Sequence, residues 1–411
     1  MIVSELQTAA ILEVEPEIEV PKCEESWWRT AINHPRRLWL RRALFQAHLW
    51  VGLTVGLLVA LIGITGSSIV FRDRLDVAFS PALYKTAATH HAAANIDAML
   101  DAVHASFPGS AVVEATPSEY GVWVFETGGP DPEDNAGVRQ VFVDPSSDRV
   151  LGSRGGRDGI MNKLALLHVE LLSGIKGRLV NGVAGLLLFF FACSGILLWW
   201  PGRARWRSAL KIRPNSGAVR LNWDLHTAGG FFASWFLVVQ AATGVCVSLA
   251  FLLAPIISLL TGGHKDDFLK LIFPPDSSAP IASKPSPIAP MLRSALDSCT
   301  QCSIQMVRLP AKPTDSVSFF LTLPDSTRTA RFVRDTFDRN DGHRLRRIDT
   351  GSAPFGIRLV LFFKAIHFGA WGGTFSRVLW LVVGLAPGAL FISGFLMWYR
   401  RVVKRRLRLA A

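Results

Sequence analysis

Four histidines sit at the ends of long apolar runs, and any chemistry starts with them. "HLWVGLTVGLLVALIGITG" spans His48 to Gly66, and "HTAGGFFASWFLVVQAATG" spans His226 to Gly244. Each opens on an imidazole and closes on Thr-Gly at the same offset. Two further runs, "HVELLSGIKGRLVNGVAGLLLFFFACSGILLWW" from His168 and "HFGAWGGTFSRVLWLVVGLAPGALFISGFLMWY" from His367, align without a gap. Gly174 then meets Gly373, Arg178 meets Arg377, and Gly185 meets Gly384. Ser194-Gly195 meets Ser393-Gly394, and Trp199 meets Trp398. Ionisable residues in membrane segments are costly and mark function by default. Four at related positions require a shared cause.

Two imidazoles per site narrow the ligand. A structural zinc ion takes four protein ligands and a catalytic one about three. Neither pair has Cys, Asp or Glu neighbours at ligand spacing. Haem iron brings four equatorial nitrogens and needs axial ligands alone. Two facing imidazoles would fill both axial positions, which suits an electron carrier. The competing chemistry, a proton relay, would want Asp or Glu inside the runs, and these are almost free of them. Gly52 and Gly230 follow His48 and His226 by one helical turn on the same face. A missing side chain there admits a flat macrocycle, or serves close helix packing. Arg178 and Arg377 could pair with haem propionates or anchor the chain at the interface. Trp199, Trp200, Trp398 and Tyr399 read as an aromatic belt.

The elements that must carry these residues follow from composition. Half of the chain is hydrophobic (50%), concentrated in four runs long enough to cross a bilayer core, which takes about 20 residues in a helix. The expected fold is membrane α-helical, with four transmembrane helices as a tandem repeat of two pairs and two small α+β outer domains. Residues 1–40 read as a disordered cytoplasmic tail, glutamate-rich and without the positive region of a signal peptide. The first span is 41–72, followed by an outer domain at 73–161. An interfacial helix and the second span occupy 162–200. A cytoplasmic loop at 201–220, a third span at 221–260, a second outer domain at 261–354, an interfacial helix with the fourth span at 355–400, and a basic tail at 401–411 complete the order. If the fourth span is kinked, the kink falls at Pro387.

The net charge of +12 could point to nucleic acid, but its distribution does not. The basic residues cluster at "HPRRLWLRR", "PGRARWRSALKIRP" and "YRRVVKRRLRL", each flanking a span. Alternating spans put all three on one side, as the positive-inside rule expects. Both termini are then cytoplasmic, and the protein lies in a bacterial inner membrane. His48 and His226 fall near the cytoplasmic face, His168 and His367 near the outer face. The outer segments repeat weakly. "VFVDPSSDRVL" resembles "TFDRNDGHRL", each a strand, a turn and a strand. "AVVEATPSEYGVWVFETG" and "SIQMVRLPAKPTDSVSFFLTL" read as hairpins, with a helix before each. Cys193 and Cys246 read as packing residues. Cys299 and Cys302 form a CxxC, read as a disulfide or a redox pair; Ser303 follows, so the c-type haem pattern is absent. His34, His90, His91, His104, His264 and His343 read as solvated or capping.

"HLWVGL" with "TG", "HTAGG" with "TG", and "VFVDPSSDRVL" together resemble the PepSY-associated transmembrane-helix family, over nearly the whole chain after about residue 40. The resemblance implies PepSY-like periplasmic domains. It implies a similarity to inner-membrane ferric-siderophore reductases of the ferrioxamine type, which hold two b-type haems. The haem ligands carried over are His48, His226, His168 and His367. Other members are joined to a cytoplasmic flavin domain. This chain ends at "RRLRLAA", so the electron donor is expected as a separate cytoplasmic flavoprotein or NAD(P)H reductase. The expected function is a di-haem b protein that reduces periplasmic ferric siderophore and releases ferrous iron, with the lipid membrane and no nucleic acid as partner. The alternatives are a non-enzymatic membrane protein that binds or regulates a periplasmic partner, and a transporter.

Overall fold

In a bilayer core every backbone polar group must be satisfied within its own helix, and the four apolar runs fold accordingly. The computed structural model describes residues 26–86, 95–128, 138–264, 266, 271, 285–310, 315–323 and 331–410, with side chains to Val402. A short helix α1 (Trp27–Asn33) precedes α2 (Trp39–Ile69). There follow α3 (Arg72–Phe79), α4 (Ile96–Ser106), α5 (Ile160–Glu170), α6 (Gly174–Trp199) and α7 (Trp206–Ala209). Then come α8 (Ala218–Ser248), α9 (Ala250–Leu260), α10 (Ile288–Asp297), α11 (Phe355–His367) and α12 (Gly373–Ala410). Helices α2, α6, α8 and α12 are long and apolar enough to cross a membrane. Helix α2 packs along α12 and α6, and α6 packs along α8. The shorter helices α5 and α11 lie against α2 and α8 respectively.

Two boundaries differ from the sequence reading, one inside 221–260 and one at the end of the tail. The run 221–260 is two helices, broken at Leu249, whose backbone (φ −106°, ψ 28°) leaves the helical region. Pro387 lies inside α12 without ending it. The tail 1–40 is ordered at its end, where α1 is pinned to the second span. Trp200 Nε1 donates to the Ile32 carbonyl at 3.1 Å, and Arg41 donates to the carbonyls of Leu198 and Trp200. The tail reading for residues 1–25, and the readings for His90 and His91, lie outside the described residues.

The two outer segments do not stand as separate domains. Strands β1 (Ala111–Pro117), β2 (Trp123–Gly128), β3 (Arg139–Asp144) and β4 (Arg149–Gly155) come from the first. Strands β5 (Ser303–Arg308), β6 (Val317–Thr322), β7 (Phe332–Phe337) and β8 (Arg344–Asp349) come from the second. All eight form one antiparallel sheet in the order β4-β3-β2-β1-β5-β6-β7-β8. The seam is β1 against β5, with Glu114 opposite Arg308 and Ala115 opposite Val307. Apart, β1 and β5 would each leave an open edge; together they remove both. Helices α4 and α10 share one core with the sheet, built on Met99, Phe125, Met291 and Phe319. The Asp97 carboxylate of α4 accepts from the Ile288 and Ala289 amides at 2.8 and 2.9 Å, capping α10 across the seam. Cys299 and Cys302 at the end of α10 are joined as a disulfide.

The other face of the sheet rests on the membrane-side helices. Arg154 of β4 grips Asp76 of α3 with two hydrogen bonds of 2.8 and 2.7 Å, and Tyr84 donates to the same carboxylate. Burial alone would raise the Asp76 carboxyl, but Arg154 and Tyr84 outweigh it and hold the group below its ordinary range. Asn162 of α5 donates to Gln140 Oε1 at 3.0 Å and accepts from Arg72 at 2.7 Å. On the far side, Phe332 and Ile348 of the sheet pack on Ile357 and Leu361 of α11 and Ala254 of α9. The sheet thus stands on α5 and α11, the helices that carry His168 and His367.

Candidate functional site

The four histidines gather two by two at opposite ends of the bundle. His48 lies early in α2 and His226 early in α8, within electrostatic reach of each other. His168 ends α5 and His367 ends α11, and their rings face each other at 6.3 Å between centres, 24° from parallel.

Each ring has one nitrogen occupied. His48 Nδ1 lies 2.8 Å from Ser194 Oγ, and His226 Nδ1 lies 3.0 Å from Ser393 Oγ. Both serines already donate their hydroxyl protons to backbone carbonyls, of Phe191 and of Ala389 and Leu390. With the serine protons so placed, the imidazole is the donor. His168 Nδ1 donates to the Ile62 carbonyl at 2.9 Å and His367 Nδ1 to the Gln240 carbonyl at 3.2 Å. A carbonyl can only accept, so the same tautomer follows. Thr65 and Thr243 stand beside those rings, at 3.5 and 3.3 Å, with their hydroxyl protons committed to α2 and α8. In all four rings Nδ1 carries the proton and Nε2 keeps its lone pair. Among the described residues no hydrogen bond to an Nε2 is recorded.

The small residues of the motifs make room for the rings. A Cβ on Gly66 would stand 2.7 Å from His168 Cε1, and one on Gly244 would stand 2.9 Å from His367 Cε1. Gly394 bears the same relation to His226 at 3.0 Å, and Gly195 approaches His48 at 3.9 Å. Thr-Gly thus serves the sheet-side rings, and Ser-Gly serves the rings at the far end. The histidines alone do not reveal that division, although the paired motifs at fixed offsets carry its signal. Asn181 donates to the His168 carbonyl at 2.7 Å, and Trp380 Nε1 donates to the Ile366 carbonyl, fixing the ends of α5 and α11.

The remaining expected residues sit differently. The space beside Gly52 and Gly230 is bordered by Phe191 and Leu390 of neighbouring helices, which places both glycines at helix contacts. Arg178 is ion-paired with Glu170 at 3.2 Å. Arg377 has no recorded ion pair among the described residues, and Gly369 stands where its counterpart has Glu170. A buried acid that the sequence reading passed over, Asp224, lies just ahead of His226 and pairs with Arg220 and Arg213 at 2.9 and 3.4 Å.

A family described as the PepSY-associated TM region matches residues 45–401. The chain belongs to this family. It is a membrane protein of the PepSY-associated class, and all four histidines lie inside the matched region. No curated protein matches the chain.

The fit of a haem to this PepSY-associated bundle can be judged from the sheet-side pair. A metal–imidazole bond of about 2 Å on each side, with about 1 Å from each bonding nitrogen to its ring centre, puts the two centres about 6 Å apart. The observed separation of the centres is 6.3 Å. Neutral imidazoles with free Nε2 lone pairs, and partners on Nδ1 that fix the tautomer, are what axial ligation asks of a protein.

Proposed function

We propose that this PepSY-associated protein is a di-haem b electron carrier of the bacterial inner membrane, built as a tandem repeat of two helix pairs. One haem would be held by His48 and His226, the other by His168 and His367. Electrons would come from a separate cytoplasmic flavoprotein or NAD(P)H reductase and go to a ferric siderophore on the sheet side, which would release ferrous iron. The observation that carries this reading is the pairing of four Nδ1-protonated imidazoles at opposite ends of an apolar bundle. The hydrocarbon core is about 30 Å thick, and a carrier with one site at each end suits transfer across it. When bound, each haem would supply a one-electron couple.

The chain's own residues do the rest. The Nδ1 acceptors hold the rings in orientation and raise their basicity. The apolar helices exclude water. The basic residues around α1, α7 and the loop after α6 offer a cationic surface for an acidic donor. Reduction weakens the hold of hard oxygen ligands on iron, so electron delivery alone releases the metal.

Purified protein should show a low-spin six-coordinate b-haem spectrum with two haems per chain, extractable into acid acetone. A colourless, folded preparation from a haem-replete host overturns the reading. His48→Ala and His226→Ala should each lose the same haem, and the double variant little more, because partners in one site are not additive. Dithionite-reduced protein should be reoxidised by a ferric siderophore with ferrous iron appearing. Rapid oxidation by a quinone instead, with ferric chelates inert, would keep the haems and remove the siderophore.

A further inference from the structure

We propose that a cavity at the β4–α5 corner binds the phosphate headgroup of an anionic phospholipid in the leaflet on the sheet side. The cavity is about 220 Å³ and is lined by Arg157, Lys163, Leu166, Glu170 and Leu172. Lys163, Leu166 and Glu170 lie on one face of α5, at helical spacing. Arg157 reaches it from the turn that leads into that helix. Two cations and one anion line the site, and the anion is spoken for: Glu170 pairs with Arg178. Asp158, beside Arg157, is turned to the Gly155 amide at 3.1 Å. Neither Arg157 nor Lys163 has a recorded ion pair among the described residues. The uncompensated charge is positive and calls for an anion.

The apolar half of the lining selects a lipid over a soluble anion. Leu166 and Leu172 form one wall, and Ile160, Val169, Leu172 and Ile175 are exposed around it. Exposed aliphatic side chains beside two cations, on an interfacial helix, suit acyl chains below a phosphate. The backbone points the same way. Leu171 and Leu172 both hold positive φ, 48° and 58°, where branched L residues are strained. That strain delivers Leu172 to the cavity wall.

The site belongs to one half of the molecule. At the corresponding positions of the second half stand Gly356, Phe362 and Gly369 in place of Arg157, Lys163 and Glu170. Ala370 and Trp371, at the positions of Leu171 and Leu172, are free of positive φ. The charged and strained version is therefore not required by the fold. The inference is independent of whether the imidazoles hold haem.

Delipidated full-length protein in detergent, given phosphatidylglycerol or phosphatidylcholine of the same chains, tests it by native mass spectrometry. Wild type should retain phosphatidylglycerol in preference. The double variant Arg157→Gln/Lys163→Gln removes two charges near the lipid surface and should weaken retention roughly tenfold or more. Arg149→Gln/Arg293→Gln, the same charge change elsewhere on the sheet side, should retain it fully. Both pairs are exposed, so unfolding temperatures should match wild type. Equal retention of the two lipids by wild type, or unchanged retention by the first double variant, overturns the proposal. So does complete displacement of phosphatidylglycerol by millimolar inorganic phosphate, which would mark a site for the free anion.

Discussion

An imidazole that offers one nitrogen to a ligand must settle the other. Here a serine oxygen or a backbone carbonyl does so. Removing a serine tests this most directly. Ser393→Ala leaves the His226 N–H without its hydroxyl partner and makes the ring a poorer donor to iron. On the proposed reading, redox titration should show the potential of the haem at that end rising while the sheet-side haem is unchanged. Loss of such a partner costs about 10–100-fold in metal affinity, so haem content should fall too. The glycines give a steric counterpart. Gly66→Ala and Gly244→Ala put a methyl group into the rings of His168 and His367, whereas Gly229, with nothing within 4 Å of an added Cβ, should accept alanine. Haem stoichiometry separates the three. The sequence made the rings legible, because histidine in an apolar run is conspicuous. It also displayed Thr-Gly and Ser-Gly at matched offsets without saying what they touch. Two of the four Nδ1 acceptors are main-chain carbonyls, which no residue type announces.

Helix α5 is short and apolar, and its placement depends on polar contacts with the sheet. Asn162 is the link, hydrogen-bonded to Gln140, Arg72 and the Gly156 carbonyl. Asn162→Ala should cost about 1–3 kcal/mol, the penalty for leaving buried partners unpaired. Chemical unfolding of the sheet would measure it. The strand pair β1–β2 holds a second test, since Glu114 and Glu126 lie directly opposite each other. Burial raises the Glu114 carboxyl, and the Glu126 charge adds to it, against Arg308 and the Thr116 hydroxyl. A carboxyl raised in the folded state favours folding while protonated. That contribution is present below its ordinary pKa of 4.5 and is lost as pH rises through the higher folded value. Glu114→Gln should therefore stabilise the protein near neutral pH, by about 1 kcal/mol at most, and do little near pH 4. A variant destabilised at neutral pH would contradict that sign. Hairpins and spans were legible at this scale because alternation and apolar length are local. The break at Leu249 was not, since the residues on both sides of it are equally apolar.

The whole molecule has two ends with different architecture, helix caps and basic loops at one and a sheet at the other. Its lateral joining was the least legible feature. Both outer segments read as complete small units, and nothing local in β1 or β5 says that the two strands pair. Labelling of engineered cysteines should place Ser146 and Ser208 on opposite sides of the membrane; labelling of both from one side would contradict the span order. The seam has a further consequence. Strands β1 and β5 occupy equivalent places in the two halves and run antiparallel, which is the relation a two-fold axis through the sheet imposes on identical strands. On the proposed tandem-repeat reading, the same operation would exchange His168 with His367 and His48 with His226. A half-length ancestor would have needed a second copy of itself to close the sheet, cover its helices and complete either imidazole pair, an isologous homodimer in every respect. On that history, residues 26–217 expressed alone should assemble as a symmetric dimer, and duplication freed one half to acquire what the other lacks, from the paired Glu170 to the strained leucines that follow it.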